Sequence, residues 1–184
     1  VNKGSASASE IVSGALKDNG RAKLLGEKIT LSSNKKNCVI RLIRPYSNNF
    51  ANKTDMVRMC LNKFQRGEIV EGVTDQTINP LFVDDVAKAI EKIISSNNFG
   101  IYHVAASDGM SSYDFIKLIA MTFNYDQKLV KKINLSSFKD NSKLTLSNNC
   151  MLDVTRFGKE FGKLPTMAQS LLNFKKKLDS EKGF

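Results

Sequence analysis

At 184 residues, with 41% hydrophobic and 25% charged residues, the chain has the length and composition of one globular domain and not of a disordered or fibrous protein. No apolar run approaches the roughly 18 residues of a membrane-spanning helix, so no membrane partner is expected. The formal charge of +10 raises nucleic acid as a partner, but Lys35-Lys36, Lys131-Lys132 and Lys175-Lys176-Lys177 are short, scattered and free of interleaved aromatics. The expectation is a solvated basic face with no nucleic acid, or a surface for an anionic ligand such as a nucleotide diphosphate.

In chain order, the apolar residues at 24, 25, 29 and 31 predict a helix over Arg21 to Ser32, ended by Asn34-Lys35-Lys36-Asn37. Cys38 to Ile43 is a short apolar run of the kind buried on both faces of a parallel sheet, and Arg44-Pro45-Tyr46-Ser47-Asn48-Asn49 breaks it. Met56, Val57, Cys60, Leu61 and Phe64 predict a helix over Thr54 to Arg66 that Gly67 stops. Glu68 to Val73 reads as a strand and Asp75 to Pro80 as a loop. Asp84 or Asp85 is then expected to cap a helix with Val86, Ala89, Ile90, Ile93 and Ile94 on one stripe.

Ile101 to Ala105 reads as the next strand. Ser111 and Asp114 mark a capped helix start, and that helix runs to about Phe123. Leu129 to Ile133 reads as a short strand, whereas Asn134 to Asn149 is polar and has no clear period. Helices are expected over Asp153 to Phe161 and Thr166 to Leu178, the second with Thr166 and Gln169 in capping-box register. Alternating helices and short apolar strands make the fold class α/β with parallel pairing. One edge of the implied sheet finds no partner strand in this sequence.

Cys38, Cys60 and Cys150 are odd in number and flanked by apolar residues, which suits free buried thiols and neither disulfides nor a metal site. The one histidine, His103, lies between apolar neighbours and reads as a structural residue. The N-terminus lacks the basic-then-apolar layout of a signal peptide, so a cytoplasmic location is expected.

Four segments together carry a family likeness. Asn19 to Lys28 (Asn-Gly-Arg-Ala-Lys-Leu-Leu-Gly-Glu-Lys) resembles a helix bearing Tyr-x-x-x-Lys followed by Gly-Glu. Cys38 to Ser47 resembles a strand ending near a nicotinamide. Asp75-Gln76 through Asn79-Pro80, with Val83-Asp84-Asp85, resembles a substrate loop and its helix cap, and Gly100 to Val104 the last strand. In this order and spacing, over roughly residues 17 to 178, they resemble extended short-chain dehydrogenases/reductases of the dTDP-4-dehydrorhamnose reductase kind, within the NAD-dependent epimerase/dehydratase superfamily, C-terminal portion only.

The resemblance implies the C-terminal part of a Rossmann-like fold with a small substrate-binding subdomain. It makes residues 1–184 a single incomplete domain, with 17–50 the end of the dinucleotide-binding fold and 51–184 mainly the substrate-binding region. The family's chemistry is NADPH-dependent reduction of a 4-keto nucleotide sugar, in which a tyrosine supplies the proton and a lysine one helical turn on lowers its pKa and holds the cofactor. Lys23 matches that lysine as catalytic and cofactor-binding residue, but Asn19 stands at the tyrosine position, and an amide does not donate a proton at suitable pKa.

The Gly-rich pyrophosphate turn is not among these residues either, because neither Gly100 and Gly109 nor Gly158 and Gly162 have its strand-turn-helix setting. By resemblance the cofactor is NADP or NAD and the partner a nucleotide sugar. Asn48, Asn49, Phe50, Gln76 and Asn79 match substrate-side positions, although Asn-Asn and Asn-Pro are also common turn pairs. Lys143 stands near the family's Arg-Pro pair as a point-charge substitute. Arg44 reads as a phosphate ligand or as half of a surface ion pair. The chain alone is expected to be inactive and to associate with itself or with a chain supplying the other half; the alternative is a non-catalytic regulatory or binding module.

Overall fold

The computed structural model describes residues 20–48, 54–137 and 147–181. The elements are α1 (Gly20–Ser33), β1 (Cys38–Leu42), α2 (Met56–Gln65), β2 (Val70–Val73), β3 (Thr77–Ile78), α3 (Val83–Ser95), β4 (Gly100–Val104), β5 (Met110–Ser111), α4 (Ser112–Thr122), β6 (Val130–Ile133), β7 (Asn149–Cys150), α5 (Thr155–Phe161) and α6 (Met167–Glu181). Strands β1 and β4 pair in parallel, Cys38 opposite Gly100 through Leu42 opposite Val104. Strands β2 and β6 form a second parallel pair. Strand β3 joins antiparallel β5 to parallel β7. The α/β architecture with mainly parallel pairing is the one the alternating pattern predicts.

Local chemistry explains the helix starts. Asp55 accepts a hydrogen bond from the Arg58 amide at α2, and Ser111 accepts one from the Asp114 amide at α4. Thr166 and Gln169 complete a reciprocal capping box at α6. The expected cap of α3 is a correction: Phe82 holds the N-cap position without a side-chain bond, and Asp84 and Asp85 lie in the first turn. Asp85 turns inward, where it accepts hydrogen bonds from Ser170 and Asn173 of α6.

The core lies where α3, α4 and α6 meet. Phe174 packs edge-on against Tyr46 and Phe82, with ring centroids 5.5 and 5.4 Å apart, and all three rings are buried. On α6, Met167, Ser170, Leu171, Phe174 and Leu178 make one buried stripe. Strand β1 is a second correction. Only Val39 in it is buried, because β4 flanks one edge and no second described strand pairs with it. A continuous apolar run reads alike whether one face or both are covered.

The free cysteines divide by place. Cys60 is buried and burial pushes its thiol up to about 12, whereas Cys38 and Cys150 are half-buried. Among the described residues no group of side chains is arranged to hold a metal ion, and no helix is long and apolar enough to cross a membrane.

Candidate functional site

Parallel pairing puts the carboxyl ends of β1 and β4 on the same side, and both chain exits meet one segment. The Tyr46 amide donates to the Leu81 carbonyl and the Val83 amide to the Tyr46 carbonyl, while the Ala106 amide donates to the Asn79 carbonyl. The 44–48 exit of β1, the 105–107 exit of β4 and the 79–83 approach to α3 thus form one three-way junction. In open α/β sheets this carboxyl side is where ligands bind. Burial raises the pKa of Tyr46, whose hydroxyl sits beside Ser170 and Asp85 without a well-aligned hydrogen bond.

The candidate residues distribute unevenly around this junction. Arg44 is exposed on the β1 exit with φ of 43°, and no described acid pairs with it. Asn48 is half-buried and its amide donates to Glu181 at the end of α6, 2.6 Å away. Asn79 is 1% exposed; its amide donates to the Ala106 and Leu152 carbonyls and its carbonyl accepts from the Leu152 amide. Gln76, also buried, donates to the Ser147 carbonyl. The structure therefore brings Arg44, Asn48 and Asn79 to one junction and engages Gln76 and Asn79 in joining the 76–79 loop to the 147–152 segment.

Lys23 belongs to the first turn of α1, and its side chain lies outside the described residues. So do Asn19, Asn49, Phe50 and Lys143.

Two clusters escaped the sequence reading. Arg156 of α5 stacks on Tyr102, 4.1 Å from the ring centroid, and donates to the Ile101 and Phe99 carbonyls and to Glu160. Tyr102 donates to the same Glu160. Desolvation first, and then the bond to Glu160, push the Tyr102 hydroxyl up to about 12, while the bonds from Tyr102 and Arg156 hold Glu160 below the usual carboxylate range. The i, i+4 spacing of Arg156 and Glu160 was the available signal. The second cluster joins Glu27 of α1 to Arg41 of β1, with Nε to Oε1 2.9 Å, and Arg41 to His103 of β4. Cross-strand register decides that contact, and sequence alone does not supply it.

The glycines described do not form the pyrophosphate turn of a dinucleotide site. The space a Cβ would take at Gly72 is filled by Tyr113, at Gly109 by Met151, and at Gly100 it is closely approached by Arg156. Gly67, Gly158 and Gly162 have open space, but Gly67 and Gly162 lie at helix C-terminal ends and Gly158 inside α5, so none of the six stands at a helix N-terminus.

Residues 15–179 match the family model described as RmlD substrate binding domain. The chain belongs to that family. Among solved structures, the RmlD-type chain is similar to dTDP-4-dehydrorhamnose reductase from Bacillus anthracis in complex with NADP, with TM-score 0.76 and 21% identity over 86% of this chain and 54% of that one. An ortholog from Clostridium acetobutylicum gives 0.74 and 22%, over 87% and 55%. dTDP-glucose 4,6-dehydratase from Bacillus anthracis in complex with NAD gives 0.66 and 14%, over 91% and 54%.

No curated protein matches the chain. The chain spans about half the length of these solved structures. Together these matches establish a mixed α/β fold with parallel strands, shared with about half the length of these Rossmann-like reductases.

Proposed function

We propose that this chain is the sugar-nucleotide-binding part of a reductase of 4-keto nucleotide sugars, and that it does not catalyse the reaction by itself. The observation that carries this reading is the junction where the 44–48, 79–83 and 105–107 segments meet at the carboxyl ends of β1 and β4. In this reading residues 17–50 close the dinucleotide-binding fold and residues 51–184 hold the substrate. Lys23 and Arg44 stand on the cofactor side, and Asn48, Asn49, Phe50, Gln76, Asn79 and Lys143 on the substrate side.

The nicotinamide cofactor, NADP or NAD, would supply the hydride. None of the six glycines described in this way stands at a helix N-terminus, so binding of its pyrophosphate is assigned to a dinucleotide-binding half, either contiguous with this chain or a partner. What this chain's residues do is narrower: the junction orients the sugar nucleotide, with Gln76 and Asn79 holding the loop through backbone bonds. Asn19 at the tyrosine position favours a second reading, a binding or regulatory module that kept the fold without the proton donor.

The test is NADPH consumption by the purified chain with a dTDP-4-keto-6-deoxy sugar. No consumption above background is expected, from the chain or from its Asn19→Tyr variant. Turnover by the unmodified chain would overturn the reading.

A further inference from the structure

Helix α6 reaches all three segments of the junction. Just ahead of it the Pro165 carbonyl accepts the Ser107 amide, and the Met167 amide donates to Asp108 Oδ1 at 2.7 Å, so both bonds hold the exit of β4. At its last residue Glu181 accepts the Asn48 side-chain amide from the exit of β1, 2.6 Å away. Between these ends Ser170 Oγ accepts the main-chain N–H of Phe82 at 2.9 Å, which holds the approach to α3.

The middle tie follows from the local backbone. Tyr46 and Phe82 form a parallel bridge in which Tyr46 uses the Leu81 carbonyl and the Val83 amide. The N–H of Phe82 therefore points away from the β1 exit. Its carbonyl is taken by the Asp85 and Val86 amides that begin α3, and no side chain caps that helix at Phe82. Phe82 is 1% exposed, so an unmade N–H there is costly, and fully buried Ser170 supplies the acceptor.

A hydroxyl has one proton to give and two lone pairs. The proton of Ser170 goes to Asp85 Oδ2 at 2.9 Å, which leaves the oxygen turned toward Phe82. Asp85 is buried and is held in turn by Asn173 Nδ2, 3.0 Å from Oδ1 and 3.3 Å from Oδ2. From the solvent side Lys88 approaches it at 3.8 Å. Asp85 thus acts on Phe82 through Ser170.

These ties lie on one rigid body. Met167, Ser170, Phe174 and Leu178 belong to the buried stripe of α6, and Glu181 continues it three residues on. The 15 residues of the helix span about 22 Å, and a stripe packed into a dense core does not slide.

We propose that α6 is the spine that aligns the junction. Ser170, oriented by Asp85, and Glu181 are positioning residues that fix the 79–83 and 44–48 segments relative to each other and to the exit of β4. The alignment is a property of the fold; only its consequence for a ligand rests on the sugar-nucleotide reading.

The full 15N-labelled chain is compared with Ser170→Ala, Glu181→Ala and Glu181→Gln through its amide signals and by titration with dTDP, well below the melting midpoint. In the parent the Phe82 amide is expected to resist exchange. Ser170→Ala is expected to lose that protection and to displace the Tyr46 and Val83 signals. It is also expected to weaken dTDP binding roughly tenfold, the order of effect of an unmade buried hydrogen bond, and Glu181→Ala about threefold. Glu181→Gln keeps an acceptor oxygen for Asn48 and is expected to bind like the parent, as is Leu172→Ala on the exposed side of α6.

Glu181 is exposed, so its two variants decide the matter even where Ser170→Ala does not fold. A Phe82 amide that exchanges freely in the parent, or unmoved Tyr46 and Val83 signals in Ser170→Ala, would overturn the spine. So would parental dTDP binding in Glu181→Ala or in folded Ser170→Ala, or Glu181→Gln binding as weakly as Glu181→Ala. A parent that binds no dTDP refutes the sugar-nucleotide reading instead, and the amide signals still decide the spine.

Discussion

Helices α6 and α1 are of similar length, yet they are secured by opposite means. Helix α6 inserts a continuous stripe, Met167 to Leu178, into the core, and Ser170 and Asn173 on it satisfy the buried carboxylate of Asp85. None of the described side chains of α1 is buried, and its described ties are the Glu27–Arg41 pair and Asn37, which lies beyond its C-terminal end and donates to the Thr30 carbonyl. The lesson concerns where this fold is self-sufficient. The body around α3, α4 and α6 closes its own core, whereas α1 and β1 leave apolar surface and a strand edge that this chain's described residues do not cover.

The sharpest way to break this contrast is Phe174→Ala. Phe174 is fully buried among Tyr46, Phe82 and Phe123, so truncation is expected to cost about 3–5 kcal/mol, read as a large fall in the denaturant midpoint. A loss under about 1 kcal/mol would mean that the α6 core is less closed than its packing indicates.

An intermediate effect is expected at the Arg156–Tyr102–Glu160 cluster, which ties α5 to β4. The Glu160 carboxyl is depressed in the fold, so its contribution is present above the unfolded carboxylate value and is lost as pH falls through the folded one. Melting temperature followed downward from pH 5 is expected to fall less steeply in Glu160→Gln than in the parent. Parallel curves would remove the cluster from the account.

The smallest stability effect is expected from Leu25→Ser with Ile29→Ser. These side chains are mostly exposed, so the change in unfolding free energy stays within about 0.5 kcal/mol. The same pair is expected to reduce self-association in sedimentation of the parent chain. A large stability loss would show that α1 is buried in solution.

Much of this fold was legible because its signals are local. Ser111 with Asp114, and Thr166 with Gln169, announce helix starts through bonds spanning three residues, and both caps are present. Asp85 was misread because the residue type that caps a helix also serves as a buried acceptor. Its partners Ser170 and Asn173 are 85 and 88 positions away. The loops that follow β1 and β4 were legible as chain breaks, but their bonding was not. Asn79 reads as a turn residue, whereas its three bonds to Ala106 and Leu152 depend on how the 147–152 segment returns beside β3. The Glu27–Arg41–His103 cluster required the β1–β4 register, which no local pattern encodes.

The central proposal is that this chain holds the substrate side, while its described residues hold no cofactor cradle. Calorimetric titration of the purified chain with dTDP and, separately, with NADPH tests it most directly. The account predicts measurable heat of binding for dTDP and no NADPH binding tighter than about 1 mM, roughly −4 kcal/mol. Micromolar NADPH binding, or no binding of dTDP at millimolar concentration, would contradict it.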